Sequence, residues 1–156
     1  MAYQKLQAGR AWAVNKSDNT DIPNIGISGP TGATTSGSAT QLIDSSATFL
    51  TSGVKLNMIV VNTTDGTQAV VIGIEDDNTL TVSANIFAVS GKNYAIYGGD
   101  QEGAVLYIGT AGNLKVTTVA GDEVTFQGIN TGAFFPVNVT KVFATGTTAD
   151  NIIALW

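Results

Sequence analysis

The chain contains no cysteine and no histidine. Disulfides, thiolate chemistry, imidazole-ligated zinc and nucleophile–histidine catalysis are therefore excluded. Charge is scarce too. Only 12% of the 156 residues are charged, where ordinary domains carry about 25%. The seven bases run from Lys5 to Lys141 with no two adjacent, against twelve acids. A nucleic-acid binder needs clustered positive charge to displace phosphate counterions, so no nucleic-acid partner is expected. Long apolar runs are missing as well. No segment approaches ~18 consecutive apolar residues, so no membrane-spanning helix is expected. The opening MAYQKLQAGRAWAV has bases but no apolar run, which argues against a signal peptide. These absences predict a protein made in the cytoplasm, without membrane, metal or cofactor.

What is present is apolar and β-forming. Hydrophobic residues make up 44% of the chain, the reverse of a disordered composition. Thr, Ser, Asn and Gly fill the places that charge would take. Such a surface repels its neighbours weakly and suits a protein packed in an assembly. Helical periodicity is poor. Short runs of Val, Ile, Thr, Phe and Tyr alternate instead with Gly, Asn, Asp and Ser clusters. Strands are predicted near 47–50, 56–62, 67–74, 79–83 and 93–97. A second series is predicted near 104–108, 113–119, 123–128, 135–143 and 151–156.

The turns carry the strongest local signals. Asp65-Gly66 predicts a tight hairpin, because glycine accepts positive φ cheaply. EDDN, residues 75 to 78, holds three consecutive acids but lacks the ligand spacing of a calcium loop. It reads as a solvated hairpin tip. AGD, residues 120 to 122, predicts a three-residue hairpin loop. GTAGN, residues 109 to 113, resembles a phosphate loop until its sequel is read. A phosphate loop needs a helix next, whose N-terminus holds the anion. LKVTTV follows and reads as a strand, so Gly109 and Gly112 are assigned to a turn. Asp18 and Asp21 lie in turn-like sequence, as do Asp100 with Glu102 and Asp122 with Glu123. None has the fixed separation that general acid–base work requires. No catalytic, metal-binding or cofactor-binding residue is assigned.

Two segments read as joints. GISGPTGATTSGSAT, residues 26 to 40, has the composition of a loose linker, and GGDQEG spans residues 98 to 103. They divide the chain into an arm (1–25), an inserted β module with its linker (26–98) and a C-terminal β domain (99–156). The arm and the C-terminal part would make one discontinuous domain, since insertions are tolerated at exposed loops. Units of about 60–80 residues bury only about 60% of their chain surface. Oligomerisation is the obvious further source of buried area. Trp12 in the arm reads as core or as an anchor in a neighbour. Trp156 ends a terminal strand that would otherwise fray, so it reads as docked in a sheet or an interface.

Two blocks carry a resemblance. LYIGTAGNLKVTTVAGDEVTFQGINTGAFFPVNVTKVFATGTTADNIIALW, residues 106 to 156, resembles a small virion-protein family of tailed phages and gene transfer agents that includes spike-base proteins. The shared features are a YIGTAG-like start, a GD-V-F hairpin, a G-F-P-V turn-strand and a closing ATGTTA…I-ALW. AVNKSDNTDIP, residues 13 to 23, resembles the segment that precedes this block in the same family. Residues 42 to 97 resemble a β module common in virion proteins of marine and cyanobacterial phages.

The expectation is an all-β protein: a small β-sandwich or jelly-roll-like domain with an inserted second β module. The resemblance implies a phage virion structural protein, foremost a capsid decoration (cement) protein on the capsid surface. Its partners would be the major capsid protein and its own copies, with a trimer favoured. Arg10 and Trp12 are assigned to capsid contact and Trp156 to subunit contact. Deleting residues 1 to 24 is expected to abolish particle binding while leaving a folded β protein. Alternatives are a tail or spike-base adaptor, or a receptor- or glycan-binding module using exposed aromatics between 41 and 97.

Overall fold

The computed structural model describes residues 8–23, 28–98 and 103–156. Among them every regular element is a strand. In chain order these are β1 (Ala11–Ala13), β2 (Ser28–Ala33), β3 (Gln41–Ile43), β4 (Ile59–Asn62), β5 (Thr67–Ile74) and β6 (Thr79–Val82). They continue with β7 (Asn93–Tyr97), β8 (Ala104–Thr110), β9 (Gly112–Thr118), β10 (Glu123–Ile129), β11 (Ala133–Val142) and β12 (Asp150–Leu155). The chain folds as two compact units, Met1–Ile22 with Gln101–Trp156, and Pro23–Asp100. The protein is all-β, with a second β module inserted into the first unit. Each unit rests on one six-stranded sheet with antiparallel pairings.

In the module the strand order is β2-β7-β4-β5-β6-β3. The two outer strands meet. Ser36, just beyond β2, bridges Ile43, and the Thr35 amide donates to the Ile43 carbonyl at 2.8 Å. The sheet therefore curls around its core of Leu42, Phe49, Val60, Leu80, Phe87 and Ile96. Closure at this seam covers edges that would otherwise invite foreign strands. The β4–β5 hairpin turns as its sequence predicts, with Gly66 at φ +72°. Asn62 is fully buried there. Its side-chain oxygen accepts from the Thr64 and Asp65 amides, and its amide nitrogen donates to Asp65 and to the Ile86 carbonyl.

Three readings of the module are corrected. Residues 47–50 form a turn, not a strand. The Ser52 amide donates to the Thr48 carbonyl at 2.7 Å. A buried Phe49 beside an exposed Leu50 satisfies a helical turn as well as a strand, and four residues cannot separate the two. The 75–78 tip is not simply solvated. Asp77 accepts the amides of Leu50 and Thr51 at 3.0 and 3.2 Å and so caps that turn. The linker is not loose where it is described, because Ser28–Ala33 is strand β2, pairing with β7. Small residues suit it. An edge strand tolerates Pro30, which has no N–H to pair. A Cβ at Gly32 would lie 2.6 Å from the Asp44 carboxylate and the Tyr94 hydroxyl. Of the second joint only Gly98 and Gly103 lie within the described residues.

The first unit orders its strands β1-β12-β8-β11-β9-β10. Strand β11 lies between β8 and β9. Ala133 to Phe135 pair with β8, and after a register shift Val139 pairs with both Ala104 of β8 and Thr118 of β9. Phe126 of β10 meets Phe135 of β11 with ring centroids 4.6 Å apart. Leu106, Ile108, Leu114, Val116, Val139 and Ile152 form the core. Gly109 and Gly112 are strand residues, not turn residues; only Ala111 separates β8 from β9. A side chain on Gly109 would strike Asn151, and one on Gly112 would strike Thr148 and Ala149. Close approach of the chain before β12 is what requires them. The AGD hairpin turns one residue earlier than read: the Thr118 amide donates to the Asp122 carbonyl around residues 119 to 121, and Gly121 has φ +93°.

The N-terminal segment is stitched into this unit. Amides of Val14, Ser17 and Ile22 donate to carbonyls of Ile152, Val142 and Thr140 at 2.9, 2.9 and 2.7 Å. Ile22 belongs to the core, 3% exposed. The expectation that residues 1–24 can be removed without cost to folding is therefore corrected.

Candidate interaction surface

The three residues singled out from the sequence lie together. Strand β1 pairs with β12, placing Trp12 opposite Ala154. The backbones of Arg10 and Trp156 exchange hydrogen bonds at 3.2 and 3.1 Å. Trp12 is half-buried on the core side, and Trp156 packs against the unit's own core. Arg10 is exposed at the end of the strand pair. The sequence assigned these residues to two separate contacts; the sheet makes them neighbours.

The other side of the same strands is the notable surface. Register aligns Ala13, Ile153, Tyr107 and Phe134 in one row across β1, β12, β8 and β11. Ala11, Leu155 and Val105 form the next row. These residues alternate with the buried Ala154, Leu106 and Phe135, so they point away from the core. Phe134 is 71% exposed and meets Tyr107 edge-on at 5.5 Å. No member of either row is charged. An antiparallel sheet with one solvated face reads as alternating apolar and polar residues. Strand β9 of this sheet obeys that rule, with Leu114 and Val116 buried and Asn113, Lys115 and Thr117 outward. Strands β8 and β12 break it, being apolar on both sides. The signal was present in the sequence as the continuous runs AVLYI and IIAL. It became a surface only once register put the runs side by side.

The module offers a hollow of about 540 Å³, lined by Pro30, Thr31, Thr35, Ser46 and Thr48 among others. At its base the Tyr94 hydroxyl donates to Asp44 at 2.7 Å. The Ser46 amide donates to the other carboxylate oxygen at 2.9 Å. Burial, reinforced by the hydrogen bond to Asp44 and its charge, raises the Tyr94 pKa far above the usual phenol range. Each oxygen of Asp44 accepts one of these bonds, so the pair braces the sheet. The aromatic residues between 41 and 97 are not exposed: Phe49, Phe87 and Tyr94 are buried and Tyr97 is half-buried. A glycan platform built on them is corrected accordingly.

The acidic residues serve as ties. Thr145 donates its amide and hydroxyl to Asp18 at 2.9 and 2.7 Å, and these bonds, the backbone one first, hold the Asp18 pKa below its ordinary 3.8. Asp21 pairs with Lys141 at 3.6 Å, and Glu123 with Lys115 at 3.7 Å. Both lysines also approach the Phe143 ring, at 4.4 Å for Lys115 and 5.5 Å for Lys141. Asp100 and Glu102 lie outside the described residues, as does Tyr3.

Comparison with protein-family models, curated proteins and solved structures finds no match to this chain.

Proposed function

We propose that the protein is a structural component of a phage virion, a capsid decoration protein that acts by binding rather than catalysis. The uncharged apolar outer face of the first unit carries this reading. A sheet apolar on both sides is suited to being held between proteins, and a charge-poor surface lets neighbours approach closely. The protein would bridge adjacent major capsid subunits at the particle surface and add buried area where internal pressure separates them. The module brings exposed Leu50, Leu56, Ile72 and Val89, each 56% exposed, as further apolar contacts for a shell. The resemblance of residues 42–97 and 106–156 to virion proteins supports the same reading.

A tail or spike-base adaptor is the second reading. One observation favours it: residues 13–22 and 106–156, nearly all of the spike-base-like sequence, belong to one compact unit. A low-resolution reconstruction of the particle separates the two. Many copies over the shell support decoration, and a few copies at one vertex support the adaptor. Absence from the particle overturns both.

A further inference from the structure

We infer that the hollow of the module is a binding site for a small organic cation, whose primary ammonium group is seated on the Asp44 carboxylate. The site lies within the Pro23–Asp100 unit, so it stands apart from the virion role proposed for the outer face of the other unit.

The carboxylate is buried without a counter-charge. Asp44 is 5% exposed. It enters no ion pair among the described residues, whose pairs hold Lys16, Lys92, Lys115 and Lys141 against other acids. No lysine or arginine lines the hollow. Buried charges are ordinarily paired, because taking them out of water is costly. The Tyr94 hydroxyl and the Ser46 amide give each oxygen one hydrogen bond. An ionised carboxylate has about four lone-pair sites, so each oxygen can accept again.

Gly32 keeps that carboxylate uncovered. A Cβ there would lie 2.6 Å from its Oδ2. Gly32 does not have a positive φ, so backbone shape does not demand glycine; the space over the carboxylate does.

The walls select the ligand. Hydroxyls of Thr31, Thr35, Ser46, Thr48 and Ser52 surround the carboxylate. A hydroxyl oxygen can accept, and a primary ammonium brings three donors and no acceptor. The two sets match. An anion would meet the carboxylate with no cation to offset it. A divalent cation draws about six or more oxygens, several of them usually carboxylates, and only one carboxylate lines this hollow. A quaternary ammonium calls for an aromatic cage, and Tyr94, the one aromatic residue of the lining, is 3% exposed. The volume of about 540 Å³ falls within the range of about 300–1,000 Å³ that holds small molecules.

Amide NMR titration of the full chain with putrescine, at fixed ionic strength, tests the site. The Gly32 and Ser46 amides should shift together, with a dissociation constant of about 1 mM or tighter. Butanediol, equally long but uncharged, should leave them unmoved. Asp44→Asn should weaken putrescine binding at least about 10-fold. Thr31→Lys serves if that variant fails to fold, because Thr31 is exposed on its strand. Its own ammonium at the rim should abolish putrescine binding. A lysine-containing tripeptide distinguishes two sources of the same group. Tighter binding of the peptide assigns the site to a protein side chain, tighter binding of putrescine assigns it to a free amine, and either supports it. Amides unmoved at about 10 mM putrescine overturn the proposal, as do equal shifts with butanediol or a Thr31→Lys protein that binds as its parent does.

Discussion

At the scale of single residues, the polar groups most costly to disturb are in the module. Asp44 is 5% exposed and Tyr94 3% exposed, and each answers the other's hydrogen-bonding need. Removing one partner leaves a buried group unsatisfied, which costs more than the bond itself contributes. Tyr94→Phe should therefore lower stability by about 2 kcal/mol, read as a lower urea midpoint at unchanged slope. The sequence did not mark this pair, because 50 residues separate its members. The surface ion pairs are another matter. Lys115–Glu123 and Lys141–Asp21 are partly exposed, and such pairs contribute little. The lysines matter more for covering the Phe143 ring.

At the scale of elements, strands of five or more residues with β-branched or aromatic content were legible. The spans predicted at 67–74 and 93–97 coincide with β5 and β7, and the C-terminal strands differ only at their ends. Three strands were not legible. β1 and β3 have three residues each, too few to show a period. β2 is SGPTGA, a linker composition that becomes a strand because β7 offers it a partner and Tyr94 leaves room only for glycine. The arm was misjudged for the same reason: the hydrogen bonds that stitch Val14, Ser17 and Ile22 into the sheet run to distant sequence. Deletion of residues 1–24 should remove β1 and the Ile22 side chain, leaving the first unit unfolded and the module intact. Amide exchange checks this, with protection retained in β4 to β7 and lost in β8 to β12. Retained protection in β8 would mean that the arm is dispensable.

At the scale of the whole molecule, two separate cores imply two cooperative events. One contains Leu106 and Ile152, the other Phe49 and Phe87. Calorimetry is expected to resolve two unfolding transitions. A single transition would mean that the two units unfold as one cooperative whole. The candidate surface belongs to this scale too. Arg10, Trp12 and Trp156 were marked from their position and chemistry, and they alternate with the outward rows, Trp12 lying on the core side. Ile153, Tyr107 and Phe134 make its central row, and each by itself reads as an ordinary core residue.

The sequence by itself determined the class of secondary structure, the insertion of one β module into another, and the exclusion of thiol and imidazole chemistry. Local alternation and residue inventory suffice for these. Tertiary structure alone decided which apolar residues face the core and which face outward. Side-chain direction in a sheet depends on pairing between strands far apart in the chain, and β12 meets β8 and β1 only after folding.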